Sequence, residues 1–424
     1  MPIPPSTAFS ISVGTTKTAS PPSTQSLRAL DWFVFFVADI QAGFGSFVAA
    51  FLTTKQWSQT DIGIALTSGS LIALAFQTPA GALVDAVPAK RLLAFVGVVG
   101  ISIAALILGM WPTFFTVVSA EILHAVATCI AGPATIAISL GLSGYAGFSR
   151  RLARNVSFAA LGNAIAALCM GLIGYYLGIE KIFYLTAALG VFAILALFMI
   201  RAHEIDPFSA RGGAPKPKQT FREAMGELIK NKRLIIFAAA IILFQFGNAS
   251  MLTFMASAFA FHSPESSTLF VAAAILGPQL IASAVSPWFG RKADEWGRKN
   301  LLILAFAPLP IRGFLLAITS DPYLVSLIQL LDGISAALLG ILVPLVIADV
   351  TKGSGHFNLA QGFVATAVGI GAALSTTIFG YLIDNFGYVF VFVALAAIGL
   401  LGVSLVAAVM PETRSLPSPH PEVS

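Results

Sequence analysis

Long apolar runs alternate with short polar segments along most of this chain. A helix needs about 20 mainly apolar residues to cross a bilayer, and twelve stretches meet that length. The predicted spans cover roughly residues 30–53, 60–84, 92–111, 113–140, 153–177, 182–200, 234–260, 268–289, 301–319, 322–348, 358–383 and 387–409. The pattern therefore predicts an all-α membrane protein with twelve transmembrane helices.

Three polar segments interrupt or flank these spans. Residues 1–26 are rich in Ser, Thr and Pro, and we expect a disordered cytoplasmic tail. Residues 201–233 are polar and basic and predict a cytoplasmic linker between bundles at 27–200 and 234–410, with a second tail at 411–424. Inside the linker, Thr220-Phe-Arg-Glu223 resembles a capping box, which predicts a short surface helix to about Lys230.

One charged segment occurs twice, about half a chain length apart. Gly290-Arg-Lys-Ala-Asp-Glu-Trp-Gly-Arg-Lys-Asn-Leu-Leu302 carries four cations between apolar runs, and a weaker copy begins at Gly81, 209 positions earlier. Asp39 and Asn248 correspond at the same offset of 209, and Glu121 and Asp332 correspond at 211. A repeat of this kind within apolar sequence predicts two similar, pseudo-symmetric halves.

The repeated Gly-x-x-x-Asp-x-x-Gly-Arg-Lys pattern resembles the loop signature of the major facilitator superfamily, which lies between the second and third spans of each half. The first copy departs from it, with Pro88 for the second Gly and Ala89 for the Arg. The resemblance extends over roughly residues 30–410. It implies two six-helix bundles around a central cavity and secondary transport by alternating access.

The resemblance also implies a gate at the charged loops. In related transporters the signature Asp lies near the start of a helix of the other bundle when the cytoplasmic side is closed. By analogy, we expect Asp85 near His356 and Phe357, and Asp294 at the start of the fifth span, near Arg151 and Arg154. We expect Asp294 to matter more, because its loop keeps more of the signature. The gating candidates are Asp85, Lys90, Arg91, Arg151, Arg154, Asp294, Gly297, Arg298 and Lys299.

Composition and charge place the chain in a bilayer. Hydrophobic residues make up 57% of it and charged residues only 10%, against about 25% charged in a soluble domain. On the predicted topology 21 cations lie on one side, Lys55 and Lys181 lie on the other, and Arg312 lies on neither. The excess of positive charge predicts that both termini are cytoplasmic, in a multi-pass protein of the plasma (inner) membrane.

A few polar groups fall inside the predicted spans, where each charge is costly and suggests a role. Glu121 and His124 share one face of the fourth span because they are three residues apart. The resemblance implies that the first, fourth, seventh and tenth spans line the cavity. The candidates for binding protons or substrate are Asp39, Gln41, Glu121, His124, Asn248, Arg312 and Asp332.

Two interpretations of these groups stay open. Low dielectric favours the protonated form of a carboxylate, which suits reversible proton binding, and His124 could share the proton of Glu121. Alternatively, each group forms hydrogen bonds between helices and has a structural role only. Arg312 and Asp332 lie at similar predicted depth, so we hypothesise an ion pair that neutralises Asp332.

The sequence carries no nucleophile–base constellation, metal-ligand spacing or phosphate-binding Gly loop of Walker type. We therefore expect a monomeric transporter rather than an enzyme, with no cofactor and no nucleic-acid partner, that acts on a small molecule and on protons in a lipid bilayer. The first hypothesis is proton-coupled export of an amphipathic compound, by antiport. The alternative is uptake of a polar metabolite by proton symport or facilitated diffusion, and a non-transporting receptor or intramembrane enzyme is a third, disfavoured class.

One departure bears on the choice between these hypotheses. Many proton-coupled exporters of the superfamily carry an Arg-x-x-Gln-Gly pattern in the fourth span. Here Glu121-x-x-His124-Ala125 stands at that place, which weakens assignment as a simple multidrug antiporter.

Overall fold

The computed structural model describes residues 22–42, 44, 46–213, 219–255 and 267–414, and within that part the regular elements are all helical. The α-helices are α1 (Thr24–Ala42), α2 (Ser46–Thr54), α3 (Gln59–Ala86), α4 (Lys90–Met110), α5 (Phe114–Leu177), α6 (Glu180–Met199), α7 (Phe221–Lys230), α8 (Lys232–Asn248), α9 (Ser267–Trp296), α10 (Arg298–Phe306), α11 (Pro308–Ile318), α12 (Pro322–Val350) and α13 (Phe357–Val409). In the described residues, eight helical segments are long and apolar enough to cross a membrane. The predicted all-α membrane class is confirmed.

Glycine breaks divide the two longest helices. Gly144 in α5 has φ 59° and Gly387 in α13 has φ 79°, a left-handed region that glycine enters at little cost. Unbroken, the 64 residues of α5 would extend for about 96 Å, roughly three times the thickness of the hydrocarbon core. The breaks therefore let each helix supply two crossings, while the total of twelve spans stays a prediction.

The buried apolar side chains form two main clusters, one for each half of the sequence. The residues of the first cluster lie between Ala29 and Ala210 in the sequence. The second joins residues between Ala224 and Met410 to a few residues of α5. Within each half, small residues let helices approach closely: a methyl group added to Gly162 would lie 2.5 Å from the carbonyl oxygen of Phe35. Such close packing is typical of helices that associate in lipid.

Local signals set several helix boundaries as the sequence predicted. Glu223 accepts a hydrogen bond from the backbone N–H of Thr220 at 2.8 Å, so the predicted capping box starts α7, which ends at Lys230 as expected. Asp321 accepts from the N–H groups of Tyr323 and Leu324 at the start of α12.

Other boundaries differ from the predictions. The repeated charged segments are helical as far as Ala86 and Trp296, rather than loops from Gly81 and Gly290. The first predicted span is divided between α1 and α2. Thr24 already begins α1, so the predicted disordered tail is too long at its end, and residues 1–21 lie outside the described part.

Candidate functional site

A cavity of about 590 Å³ lies between the two halves of the molecule. Side chains of α3 and of α5 before Gly144 form one wall, and side chains of α12 and α13 form the other. Most of the lining is apolar. Its polar side chains are Ser70, Gln77, Glu121, His124, Thr128, Cys129 and Gln361. A largely apolar cavity with a few polar groups is the usual form of a small-molecule site.

Glu121 and His124 both reach this cavity from α5. Glu121 is buried against α3, where a methyl group added to Gly69 would lie 3.1 Å from its Oε2 atom. The ring of His124 stacks on Phe44, with centroids 3.7 Å apart and planes at 6°. Among the described residues, neither Glu121 Oε1 nor His124 Nε2 has a hydrogen-bond partner. These polar atoms are available to a bound proton or ligand.

Asp39 and Gln41 lie in α1, outside the residues that line this cavity. Asp39 is buried, and its Oδ1 atom accepts no hydrogen bond from the part of the chain that the structure describes. Gln41 is half-buried in the last turn of the helix. The sequence grouped these residues with Glu121, whereas the structure keeps them apart from the cavity lining.

Arg312 is the centre of a separate polar cluster in the second half. It is 1% exposed, contacts the carboxylate of Asp332, and donates hydrogen bonds at 2.8 Å to Asn248 Oδ1 and to Gln329 Oε1. The hypothesised Arg312–Asp332 ion pair is therefore present. A buried cation needs such pairing, and none of the four residues is among those lining the cavity.

We expect charge reversal to test this ion pair. Breaking a buried pair costs about 3–5 kcal/mol, so Arg312→Asp or Asp332→Arg alone should sharply lower the melting temperature in detergent. The double reversal should recover much of the loss, because the amides of Asn248 and Gln329 can rotate to present N–H groups to a carboxylate.

Reversal of the exposed Lys292–Glu295 pair is the matched control, since a surface pair contributes about 0–1 kcal/mol. A double Arg312–Asp332 variant that melts no higher than the singles would show that the pair itself stabilises nothing.

The two halves also meet at the end of the molecule that carries the repeated charged segments, here called the charged end. The buried carboxylate of Asp85 accepts three hydrogen bonds from the start of α13: Asn358 N at 3.1 Å, Asn358 Nδ2 at 2.7 Å and Leu359 N at 2.8 Å. Asp85 is thus beside His356 and Phe357, as expected. Burial lowers the pKa of His356 below its ordinary value, which keeps this neighbour neutral near pH 7.

Asp294 makes a weaker contact, and its predicted partners are wrong. It accepts one hydrogen bond across the halves, from Ser149 Oγ at 2.6 Å. Arg151 and Arg154 instead pair with Asp31 of α1. The reason is helical geometry: a methyl group on Gly290 would lie 2.3 Å from Ala153 Cβ, so Ser149 and Ala153 form the face towards α9, and Arg151 points away from it.

The remaining gating candidates contact their own half of the molecule. Lys90 donates to the carbonyl of Val84, and Arg91 donates to the carbonyl of Ile200, both within the first half.

The candidates of the second half also bond within it. Arg298 donates to Asp349 Oδ2 at 3.0 Å. Gly297 has φ 80°, and Glu412 accepts from the N–H groups of Arg298 and Lys299. Of the gating candidates, Asp85 and Asp294 are the two that form hydrogen bonds with the other half of the molecule.

Several polar residues at these sites went unnoticed in the sequence. Gln77, Thr128 and Gln361 line the cavity, Gln329 binds Arg312, and Asn358 binds Asp85. The signal that could have found them is a neutral amide or hydroxyl within an apolar run, because uncharged polar groups in a bilayer also need partners.

The sequence profile of the Major Facilitator Superfamily matches residues 32–307 and 248–423, and so spans nearly all of the chain. Two MFS-type transporters of Mycobacterium tuberculosis, from strains CDC 1551/Oshkosh and ATCC 25618/H37Rv, are 36% identical to this chain over 392 residues. Each alignment covers 91% of this chain and 93% of the relative.

Two solved structures share the fold. The human organic anion transporter MFSD10 (TETRAN) aligns with a TM-score of 0.67 at 14% identity, covering 91% of this chain and all of that one. The nucleoside transporter NupG aligns with a TM-score of 0.60 at 16% identity, covering 90% of this chain and 98% of that one. At these identities the likeness concerns the fold alone.

Proposed function

Because this chain belongs to the major facilitator superfamily and is a membrane transporter, we propose that it exports an amphipathic small molecule in exchange for protons. The observation that carries the proposal is the difference between two acids related by the internal repeat. Glu121 reaches the cavity with an unpartnered carboxylate oxygen and no cation beside it in the described structure, whereas Asp332 is paired with Arg312. Of these two acids, Glu121 is therefore the one whose proton can exchange.

The shape and chemistry of the cavity support an amphipathic substrate. Its volume of about 590 Å³ falls within the range of pockets for drug-sized ligands. The wall from the second half is mainly apolar, with Val343, Pro344, Val364 and Val368, while Glu121 supplies a negative charge opposite it. A molecule with an apolar body and a cationic group fits both walls, and a proton on Glu121 would compete with that group.

The orientation proposed from the sequence makes the charged end cytoplasmic. The bonds from Asp85 to α13 then close the cytoplasmic side. In alternating access these bonds must break whenever the cavity opens inward, so they belong to the outward-facing half of the cycle. We further propose that the bundles at 27–200 and 234–410 move as the two units of that cycle, in a monomer of the plasma (inner) membrane.

The alternative is uptake of a polar metabolite by proton symport or facilitated diffusion. The hydrogen-bonding side chains of Gln77, Thr128 and Gln361 favour it, because they could recognise hydroxyl or amide groups. The two structural neighbours are an organic anion transporter and a nucleoside transporter, and neither substrate transfers to this chain at such low identity.

Proton movement on addition of a compound tests the proposal. Proteoliposomes would carry a trapped pH-sensitive dye and receive amphipathic quaternary ammonium ions or polar metabolites outside, with no imposed gradient. Export by exchange predicts that an amphipathic cation entering the lumen drives protons out, so the lumen becomes more alkaline. Acidification with a polar metabolite would indicate symport and overturn the export proposal.

Asp39 provides a second test of substrate charge. If Asp39 acts on a cationic group of the substrate during entry or binding, Asp39→Asn should weaken binding of a cationic compound by about tenfold, and of its neutral isostere by less than about twofold. Binding is measured by fluorescence quenching in detergent. Equal losses for both compounds would assign this buried acid to helix packing.

A further inference from the structure

Four arginines surround a second cavity, of about 400 Å³, at the charged end of the first half. It lies between the start of α1 and the part of α5 from Ser143 to Arg154. Its charged lining residues are Arg28, Asp31, Arg150, Arg151 and Arg154. Four cations and one carboxylate leave a net charge of +3 around a space large enough for a phosphate group.

Ion pairs within the protein neutralise only part of this positive charge. Arg151 is buried, pairs with Asp31, and also donates to Asn155 Oδ1 at 2.9 Å. Arg154 shares Asp31 but leaves 56% of its side chain exposed. Arg28 and Arg150 are exposed and form no ion pair with any described residue. The cavity therefore presents at least two free guanidinium groups.

The internal repeat does not require this cluster. Gly174-Tyr175 in the fifth predicted span corresponds to Gly380-Tyr381 in the eleventh, at an offset of 206. At that offset, Phe357 and Ala360 stand in place of Arg151 and Arg154. The arginines are thus a property of the first half and not of the shared architecture.

An apolar groove of about 540 Å³ adjoins the arginine cavity and shares Thr24 and Arg28 with it. It runs between α1 and α6. Trp32, Phe192, Leu195 and Met199 line it and are each more than half exposed. Exposed apolar side chains at a helix surface of a membrane protein contact lipid, and Trp is enriched at the bilayer interface. Trp32 lies one helical turn from Arg28.

We propose that this composite site binds one anionic phospholipid, with its phosphate between Arg28 and Arg150 and an acyl chain along the groove. Charge complementarity selects the headgroup, since guanidinium groups bind phosphate with two parallel hydrogen bonds. Residues 1–21, which precede the cavity in sequence, contain no Asp or Glu and so cannot supply the missing negative charge.

The proposed orientation agrees with such a ligand. Anionic lipids are concentrated in the cytoplasmic leaflet, which is where the charged end would lie. Lipid binding at this site depends on the proposed orientation only, whether the protein exports or imports its substrate. The lipid would join α1 to α5 beside Ser149, which donates to Asp294 of the other half.

Native mass spectrometry of the purified full-length protein tests the proposal. Phosphatidylglycerol and phosphatidylcholine with identical acyl chains are titrated into the detergent-solubilised protein. We expect phosphatidylglycerol to bind at least tenfold more tightly. Each basic residue near an anionic surface contributes about fivefold to binding. In the double variant Arg28→Gln/Arg150→Gln, the affinity for phosphatidylglycerol should therefore fall by roughly 30-fold.

Two further variants and one soluble ligand complete the design. Lys230→Gln/Lys232→Gln removes the same charge from exposed linker positions and should keep the affinity of the wild type. Trp32→Ser should lower the affinity for phosphatidylglycerol but leave the affinity for glycerol phosphate unchanged. Equal binding of the two lipids, or equal losses in the two double variants, would overturn the proposal. Glycerol phosphate binding as tightly as phosphatidylglycerol would make this a site for a soluble phosphate and would also overturn it.

Discussion

Asp85→Asn is expected to open the charged end of the protein and slow transport strongly. The three hydrogen bonds to Asp85 come from the other half of the molecule, and two of them are backbone N–H groups at the start of α13. Asparagine keeps the size of the side chain but removes the charge, and it turns one acceptor into a donor that faces N–H groups. Losing charged hydrogen bonds of this kind costs about 2 kcal/mol, or roughly 30-fold in the population of the closed state.

Distances between spin labels on Ala89 and Asn300 measure this change. Both residues are exposed at the charged end, and they belong to different halves. Labelling needs a background in which the two free cysteines, Cys129 and Cys169, are replaced. In Asp85→Asn the main distance should lengthen and turnover should fall, while substrate affinity from the charged end stays intact or improves.

Asp294→Asn is the matched comparison. Asp294 is 39% exposed in its side chain and accepts one neutral hydrogen bond from the other half, against three for the buried Asp85. The geometry thus reverses the ranking expected from the loop signature, and Asp85→Asn should have the larger effect. Unchanged distances together with normal flux in Asp85→Asn would remove the gating role proposed for this residue.

Glu121→Gln is expected to abolish transport driven by a pH gradient while leaving substrate exchange measurable. Glutamine preserves the volume of Glu121 beside Gly69 but cannot exchange a proton. Exchange of labelled for unlabelled substrate at equilibrium requires no net proton movement, so it should continue. Flux is measured in proteoliposomes with and without an imposed gradient, using a compound that moves protons in the wild type.

Asp384→Asn serves as the control for removal of a carboxylate. Asp384 is exposed in α13 and is not among the residues lining the cavity. This variant should retain both gradient-driven flux and exchange. If Glu121→Gln also retained full gradient-driven flux, Glu121 would have a structural role only, and proton coupling would have to reside elsewhere.

Some features of the fold were predictable because they depend on composition and spacing. Apolar runs of membrane length predicted the all-helical class, and the capping box at Thr220 predicted the start of α7. The resemblance of the charged segments to the superfamily signature correctly placed Asp85 near the start of α13. Depth counted along the helices was enough to predict the Arg312–Asp332 pair.

Other features depend on which face a helix turns towards its neighbours. Arg151 and Arg154 were assigned to Asp294, but the rotation of α5 presents Ser149 to it and turns both arginines towards Asp31. Asp39 and Glu121 are both acids in predicted spans, yet only Glu121 lines the cavity. Side-chain direction follows from tertiary packing, which spacing within one helix does not determine.

Uphill transport under an imposed pH gradient tests the central claim most directly. Proteoliposomes with an acidic lumen and an alkaline exterior would contain equal concentrations of an amphipathic quaternary ammonium ion, which has no neutral form that could be trapped by the gradient, on both sides. Proton-coupled exchange predicts that the cation accumulates in the acidic lumen as protons leave, and that collapse of the gradient with a protonophore stops the accumulation. If the concentrations stayed equal on both sides of the membrane while labelled substrate exchanged rapidly, transport would not be coupled to protons. That result would contradict the account and would indicate facilitated diffusion.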